Sequence, residues 1–424
     1  MAKQTDTALR GQLMYSVFVR NHTKEGTFRA LEADLDRIAG LGTDIIWLMP
    51  IHPIGAQARK GELGSPYAIR DYRDINPEYG TLGDFIHLVE EIHRRGMKCI
   101  IDVVYNHTSP DSVLAQTHPE FFLRDENGQP TRHVAEWWDI VDLDYSNRDL
   151  WKYQTETLKM WAEIVDGFRC DVASMVPVEF WNQARRQVES VRPGCIWLAE
   201  SVFSDHVHAM RCMDAYCASD CDLYEAFDIT YDYDIWPAYE GYLKGQCSLQ
   251  EYVRLLNFQE LGYPENYVKL RCLENHDQPR VAGYMKSDLQ LRNWLAFSYF
   301  QRGVTMLYGG TEYAPVKAVS LFDKDDNFGD MRHDWQLYLC DLREMKRQLP
   351  LSGGYRLSCA ENEIVLGSYN LPCEKIRGIF CLQGKGGKVS VDLPDGVYRD
   401  RIDGREITVC SGAVVTDGMP IVIG

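Results

Sequence analysis

No apolar run in the sequence approaches the ~20 residues that a membrane-spanning helix needs, so no membrane role is expected. The opening stretch MAKQTDTALRGQ lacks the apolar segment of a secretory leader, and the expectation is a cytoplasmic protein. No Cys-x-x-Cys pair and no Cys/His cluster with zinc spacing occurs among the 13 cysteines. Their number is odd. Several, such as Cys99, Cys170, Cys195 and Cys272, fall in strand-like or helix-like stretches and read as buried free thiols. Positive charge is in deficit. The 45 Lys and Arg against 62 Asp and Glu give a net charge of −17, which disfavours nucleic acid as a partner. A phosphate-binding glycine loop is also missing. The QGKGGK stretch at 383–388 lies between strand-like runs, precedes no helix, and reads as a hairpin turn. Nothing in the sequence reports an oligomeric state.

What is present is a chain of 424 residues, 45% hydrophobic and 25% charged, long enough for one large α/β domain and a small one. Aromatics make up 12%, which suits sugar rings and a large core alike; composition alone favours the core. Apolar strand-like runs such as DIIWLMPI and MKCIIDVVYN alternate with helical patterns such as TFRALEADLDRIAGLG and TLGDFIHLVEEIHRRG. Thr81 reads as the N-cap of the latter and Gly96 as its stop. About eight such pairs imply a (β/α)8 barrel over residues 1–107 and 148–349. The alternation pauses at 108–147, a polar insertion after the third strand. Beyond Pro350 short strands separated by Gly, Asp and Pro turns predict a small antiparallel β domain over 350–424.

Each expected barrel strand is apolar until its end and then turns polar. The third closes on Asp102, Asn106 and His107, the fourth on Arg169 and Asp171, the fifth on Glu200, and the seventh on Asn275, His276 and Asp277. A single polar residue at a strand end usually caps a helix or bonds a loop. Charged groups from four strands converging near a core point to a site. Arg169 and Asp171 stand two apart, so a strand sends both to one face, where the guanidinium is expected to lower the carboxyl pKa. Two carboxyls flanking a bond are the machinery of glycoside hydrolysis.

The stretches DVVYNHTS, GFRCDVAS, WLAESV and ENHD, in that order, resemble the four sequence regions of the α-amylase family of glycoside hydrolases. GSPYAIRDYRDINPEYGT, DLDYSN and GVTMLYGGTEY add to the resemblance, which covers roughly residues 13 to 347. It implies Asp171 as the nucleophile, Glu200 as general acid and base, and Asp277 as the residue that binds and distorts the reacting sugar. Arg169, His107 and His276 would position that sugar and Tyr67 would stack on it. Asp102 and Asn106 would be supporting residues. The insertion corresponds to the family's domain B and the last segment to its domain C.

Many members of the family carry Lys and His three and four positions after the nucleophile, for substrate and for calcium; here Ser174 and Met175 stand there. The short insertion has no dense run of acidic ligands, so no cofactor and no required metal are expected; calcium stays open, since Asn106 could be a ligand and relatives supply one contact from a main-chain carbonyl, which Met175 does not exclude. Trp137, Trp138, Tyr224, Phe227, Tyr231 and Trp236 are candidate sugar platforms, of which two or so are expected to serve. The resemblance implies retaining cleavage of α-1,4-linked glucans or maltooligosaccharides. An exo-acting α-glucosidase or oligo-1,6-glucosidase, suggested by Val172, and an α-glucan transferase stay open. A non-catalytic sugar-binding relative would have lost a carboxylate, and all three are present.

Overall fold

The structure is a computed structural model that describes residues 4–325 and 331–424; the first three residues of the opening stretch lie outside the described residues. Eight parallel strands close into a barrel: β1 (Leu13–Val17), β2 (Ile45–Leu48), β3 (Lys98–Val103), β4 (Gly167–Cys170), β5 (Ile196–Ala199), β6 (Ile229–Tyr231), β7 (Val268–Arg271) and β8 (Val304–Tyr308). Each pairs with the next, and β8 returns to β1 with Leu13 opposite Thr305. Helices cover the outside, so a strand such as IIWL is buried at every position, as parallel strands covered on both faces are.

The helix Leu82–Arg94 shows how local chemistry sets an element. Thr81 and Asp84 form a reciprocal capping box, and Phe85, Leu88, Val89 and Ile92 share the buried face. One expectation changes in detail. The pattern from Thr27 makes two helices, Phe28–Glu32 and Leu35–Gly40; Asp34 at the break binds both His22 and Arg37 at 2.7 Å. The strand β6 is short, and the chain before it holds the Ser219-capped helix Asp220–Leu223.

Between β3 and the helix Arg148–Ala162 the chain leaves the barrel. His107–Thr108 pairs antiparallel with Val141–Asp142, so the insertion leaves and rejoins at one point of the barrel rim. After the last barrel helix, Gln336–Arg347, a four-stranded antiparallel sheet forms from Gly354–Ala360, Ile364–Asn370, Lys375–Cys381 and Ile421–Ile423. The first of these is the least apolar in pattern. Only Leu357 in GYRLSCA is buried, so the strand carries no apolar run. All 13 cysteines are free. Among the described residues no helix is long and apolar enough to cross a membrane.

Candidate active site

Arg169 sits on β4 with its side chain fully buried inside the barrel. The faces of Trp47, Tyr67 and Tyr231 surround its guanidinium at 5.2–5.5 Å. A desolvated cation needs matching anions, and three carboxylates supply them. Nη1 donates to both oxygens of Asp102, at 2.8 and 3.0 Å, and to Asp171 Oδ1 at 2.8 Å. Nη2 lies 2.9 Å from Glu200 Oε2, but its N–H groups point elsewhere, so that pair is Coulombic rather than a hydrogen bond. Nε donates to the Tyr231 hydroxyl. One residue therefore ties the ends of β3, β4 and β5 together.

The turn after β4 is strained. Val172 is β-branched and holds a left-handed conformation at φ +32°, where such residues are rare. Its reward is directional: the Val172 N–H donates to Glu200 Oε2 at 2.7 Å. Strain beside a candidate nucleophile thus places one backbone donor on the candidate acid.

The remaining expected residues enclose the same space. His107 Nε2 lies 3.8 Å from Asp171 Oδ2. His276 Nε2 lies 3.1 Å from Asp277 Oδ2 and 2.7 Å from the Tyr67 hydroxyl, which also donates to Asp102 Oδ2 at 3.1 Å. The rings of Tyr67 and His276 stack at 5.3 Å. Asp277 is in the loop beyond β7, since that strand ends at Arg271, and Asn275 fixes the loop by accepting from the Asp277 N–H and donating to Tyr233. Tyr67, His107, Asp171, Glu200, His276 and Asp277 line a cleft of about 340 Å³ at the C-terminal mouth of the barrel, with Asp102, Arg169 and Asn275 behind them.

Burial governs the charges. It pushes Asp171 up to about 6, against the lowering effect of Arg169 and with the help of Asp102. The expected lowering by Arg169 is present, but the guanidinium is shared among three carboxylates, and desolvation outweighs its share. Burial pushes Glu200 further, to about 7, with Asp171 and Asp277 adding to the rise. Asp277 is also pushed up by burial, but His276 beside it more than offsets this and holds it below the usual carboxylate value. Asp102 is raised to about 6, again by burial first. These groups titrate as a set, ordered with Glu200 the most readily protonated.

Asn106 faces inward, toward His107 Nδ1 at 3.1 Å and Asp142 Oδ1 at 3.4 Å, while Asp142 Oδ2 accepts from the His133 N–H and Nδ1 at 2.8 Å each. Both Asp142 oxygens meet donors. Met175 packs with Val172, Met210 and Cys217 in an apolar cluster. This donor set does not fit a calcium ion, which needs convergent oxygens. Among the described residues no three His, Cys, Asp or Glu side chains group as metal ligands.

Of the six aromatic candidates, Trp137 lines the cleft and Trp138 is exposed nearby. Tyr224, Phe227, Tyr231 and Trp236 are corrected to core residues, each at most 5% exposed. Sequence reasoning missed Phe203, Tyr233 and Lys60, which also line the cleft. Phe203 and Tyr233 stand shortly after the ends of β5 and β6, a position that could have flagged them; Lys60 has no such local mark.

A sequence model described as the α-amylase catalytic domain matches residues 12–121 and 133–341, and one described as the bacterial α-amylase C-terminal domain matches residues 356–423. A solved α-amylase from Lactobacillus plantarum is 45% identical, with 99% of each chain covered and a TM-score of 0.96. A solved noncanonic maltogenic α-amylase from Thermotoga neapolitana is 33% identical, with 98% of each chain covered and a TM-score of 0.86. An α-1,4-glucan:maltose-1-phosphate maltosyltransferase from Myxococcus xanthus is 29% identical over 302 residues, 65% of this chain. The chain spans only 39% of that relative's length.

Proposed function

This chain belongs to the α-amylase family of glycoside hydrolases and transferases, and on that premise we propose that it cleaves α-1,4-glucosidic bonds in maltooligosaccharides with retention of configuration. The observation that carries the reading is the cluster around Arg169. It places Asp171 and Glu200 at one cleft, on one cation, with Glu200 the harder to ionise. Asp171, ionised, attacks the anomeric carbon. Glu200, protonated, gives its proton to the departing oxygen, and the C–O bond breaks. The resulting carboxylate then takes a proton from water, which attacks the glycosyl–Asp171 ester and frees both the sugar and Asp171.

Arg169 keeps its charge throughout, since Asp102 and Glu200 raise its pKa against the cost of burial. Asp277, held ionised by His276, faces the positive charge that develops on the sugar ring. Tyr67 and His107 border the same ring position. The two solved relatives above are described as an α-amylase and a maltogenic α-amylase, which supports an α-1,4-glucan substrate.

A second reading rests on the relative described as a maltosyltransferase: a sugar, rather than water, accepts the glycosyl group from Asp171. A product profile over time from maltoheptaose, isomaltotriose and pullulan separates the readings. Mixed short maltooligosaccharides from maltoheptaose are expected. Products longer than the starting sugar would shift the reading to transfer. Glucose released singly, or action mainly on isomaltotriose, would shift it to an α-glucosidase, and no product at all would remove it.

A further inference from the structure

Lys60 lies in the loop after β2, far in sequence from Asp171, Glu200 and Asp277, yet its side chain reaches into the cleft wall. Its ammonium makes three contacts, all to one short stretch of the insertion. Nζ lies 2.8 Å from Asp139 Oδ1, donates to the Glu136 carbonyl at 3.2 Å, and sits 4.4 Å from the centre of the Trp138 ring. The carboxylate is 4% exposed and the lysine 17%, so this pair is largely out of solvent and salt screens it little.

The gripped atoms stand on either side of Trp137 in the chain. Trp137 lines the cleft, and its ring packs on His107 at 5.6 Å and 54°. His107 is in turn the residue 3.8 Å from Asp171. The other end of Lys60 is anchored as well. Gly61, at φ +65°, brings the loop against the chain after β8, where an added Cβ would meet Phe322 Cβ at 2.5 Å. The Leu63 and Gly64 N–H groups both donate to the Phe322 carbonyl, and the Glu62 N–H donates to Asp323. The loops after β2 and β8 thus form one wall, and Lys60 fastens the insertion to it.

We propose that Lys60 is the positioning residue for Trp137: by holding Glu136 and Asp139 it fixes the indole over His107, so that the sugar-binding wall is formed before substrate arrives. Lys60 acts through Trp137 and takes no part in proton or glycosyl transfer. The contribution is therefore to substrate binding rather than to the chemical step. It rests on the maltooligosaccharide reading for its kinetic effect but not for the contact itself.

The test has two arms. In the kinetic arm, Lys60→Met keeps the packing over Trp138 and removes the charge. On maltoheptaose KM is expected to rise about tenfold with kcat within about twofold, and Lys60→Arg is expected to recover most of the loss. Trp137→Ala is expected to match it, and Lys60→Met with Trp137→Ala together are expected to be no worse than either alone, as for residues acting in series. In the second arm, amide exchange over residues 134–140 is expected to quicken in Lys60→Met with the rest of the barrel unchanged. An unchanged KM, a loss confined to kcat, independent losses in the double variant, or unchanged exchange would each overturn the proposal. If the wild-type protein turns over no α-glucan while exchange still quickens locally, the substrate reading fails and the fastening role stands.

Discussion

Asp171 and Glu200 share one guanidinium but not one environment, and that difference predicts a pH profile. Asp171 must be ionised to attack, so activity rises as pH climbs through about 6. Glu200 must be protonated to release the leaving group, so activity falls as pH climbs through about 7. The kcat/KM for maltoheptaose should therefore be a narrow bell between those values. Glu200→Gln should lower kcat/KM on maltoheptaose by far more than on an activated aryl glycoside, which needs no proton to leave. An equal loss on both would assign the proton donor elsewhere. Asp171→Asn should lower kcat by a factor of about 10⁴ or more while the protein still binds maltooligosaccharide, since only the attacking group is lost. Near-normal turnover in that variant would remove Asp171 as nucleophile. At this scale much was legible. Asp171, Glu200, His107, His276 and Asp277 all stand past strand ends, where a polar residue breaks an apolar run. Lys60 was not legible, because no local pattern marks a lysine whose partners lie 76 residues away.

Among the elements, the insertion is held by backbone and side chains together. It leaves and rejoins the barrel through a two-residue ladder, His107–Thr108 with Val141–Asp142. Backbone bonds add to it, Ser109 N–H to the Ile69 carbonyl and Val113 N–H to the Arg70 carbonyl among them, and so do side chains, Asp142 to His133 within the insertion and Lys60 to Asp139 across to the barrel. Lys60 is paired with Asp139, and the Asp142 carboxylate accepts from His133. A chelator should therefore leave maltoheptaose turnover and the melting temperature unchanged within error. Loss of activity restored by added calcium would overturn this. The insertion's extent was readable as a pause in the strand–helix alternation. Its packing was not, since Trp137 and Trp138 are neighbours in sequence yet face the cleft and the solvent respectively.

For the molecule as a whole, the question is how the last sheet is fixed to the barrel. The ring of Phe300, at the end of helix Asp288–Phe300, lies on two glycines of that sheet, Gly367 and Gly378, and beside Phe380 at 5.1 Å. The Tyr369 hydroxyl donates to the Phe300 carbonyl at 2.9 Å. A Cβ on Gly367 would meet Phe300 Cε1 at 2.2 Å, so Gly367→Ala must displace the ring. It should cost about 1–3 kcal/mol, read by denaturant unfolding, while kcat on maltoheptaose stays within about twofold. Unaltered stability would mean that this contact does not join the two parts. The junction could not be read from GSYN or RGIF alone: a glycine in a strand marks a close approach without naming what approaches.

The sequence by itself determined what depends on neighbouring residues. Periods of two and of 3.6 set the order of strands and helices, and caps such as Thr81 set where a helix starts. The break from apolar to polar at each strand end placed Asp171, Glu200 and Asp277 at one mouth of a barrel once eight strands were counted. Only the tertiary structure decided what depends on distance through space and on exclusion of water. Closing the barrel made Arg169 the common partner of Asp102, Asp171 and Glu200, where the chain alone showed it beside Asp171. Burial then raised Asp171, reversing the direction that the local Arg–Asp spacing had implied, because a shared cation in a desolvated site cannot fully compensate every carboxylate around it.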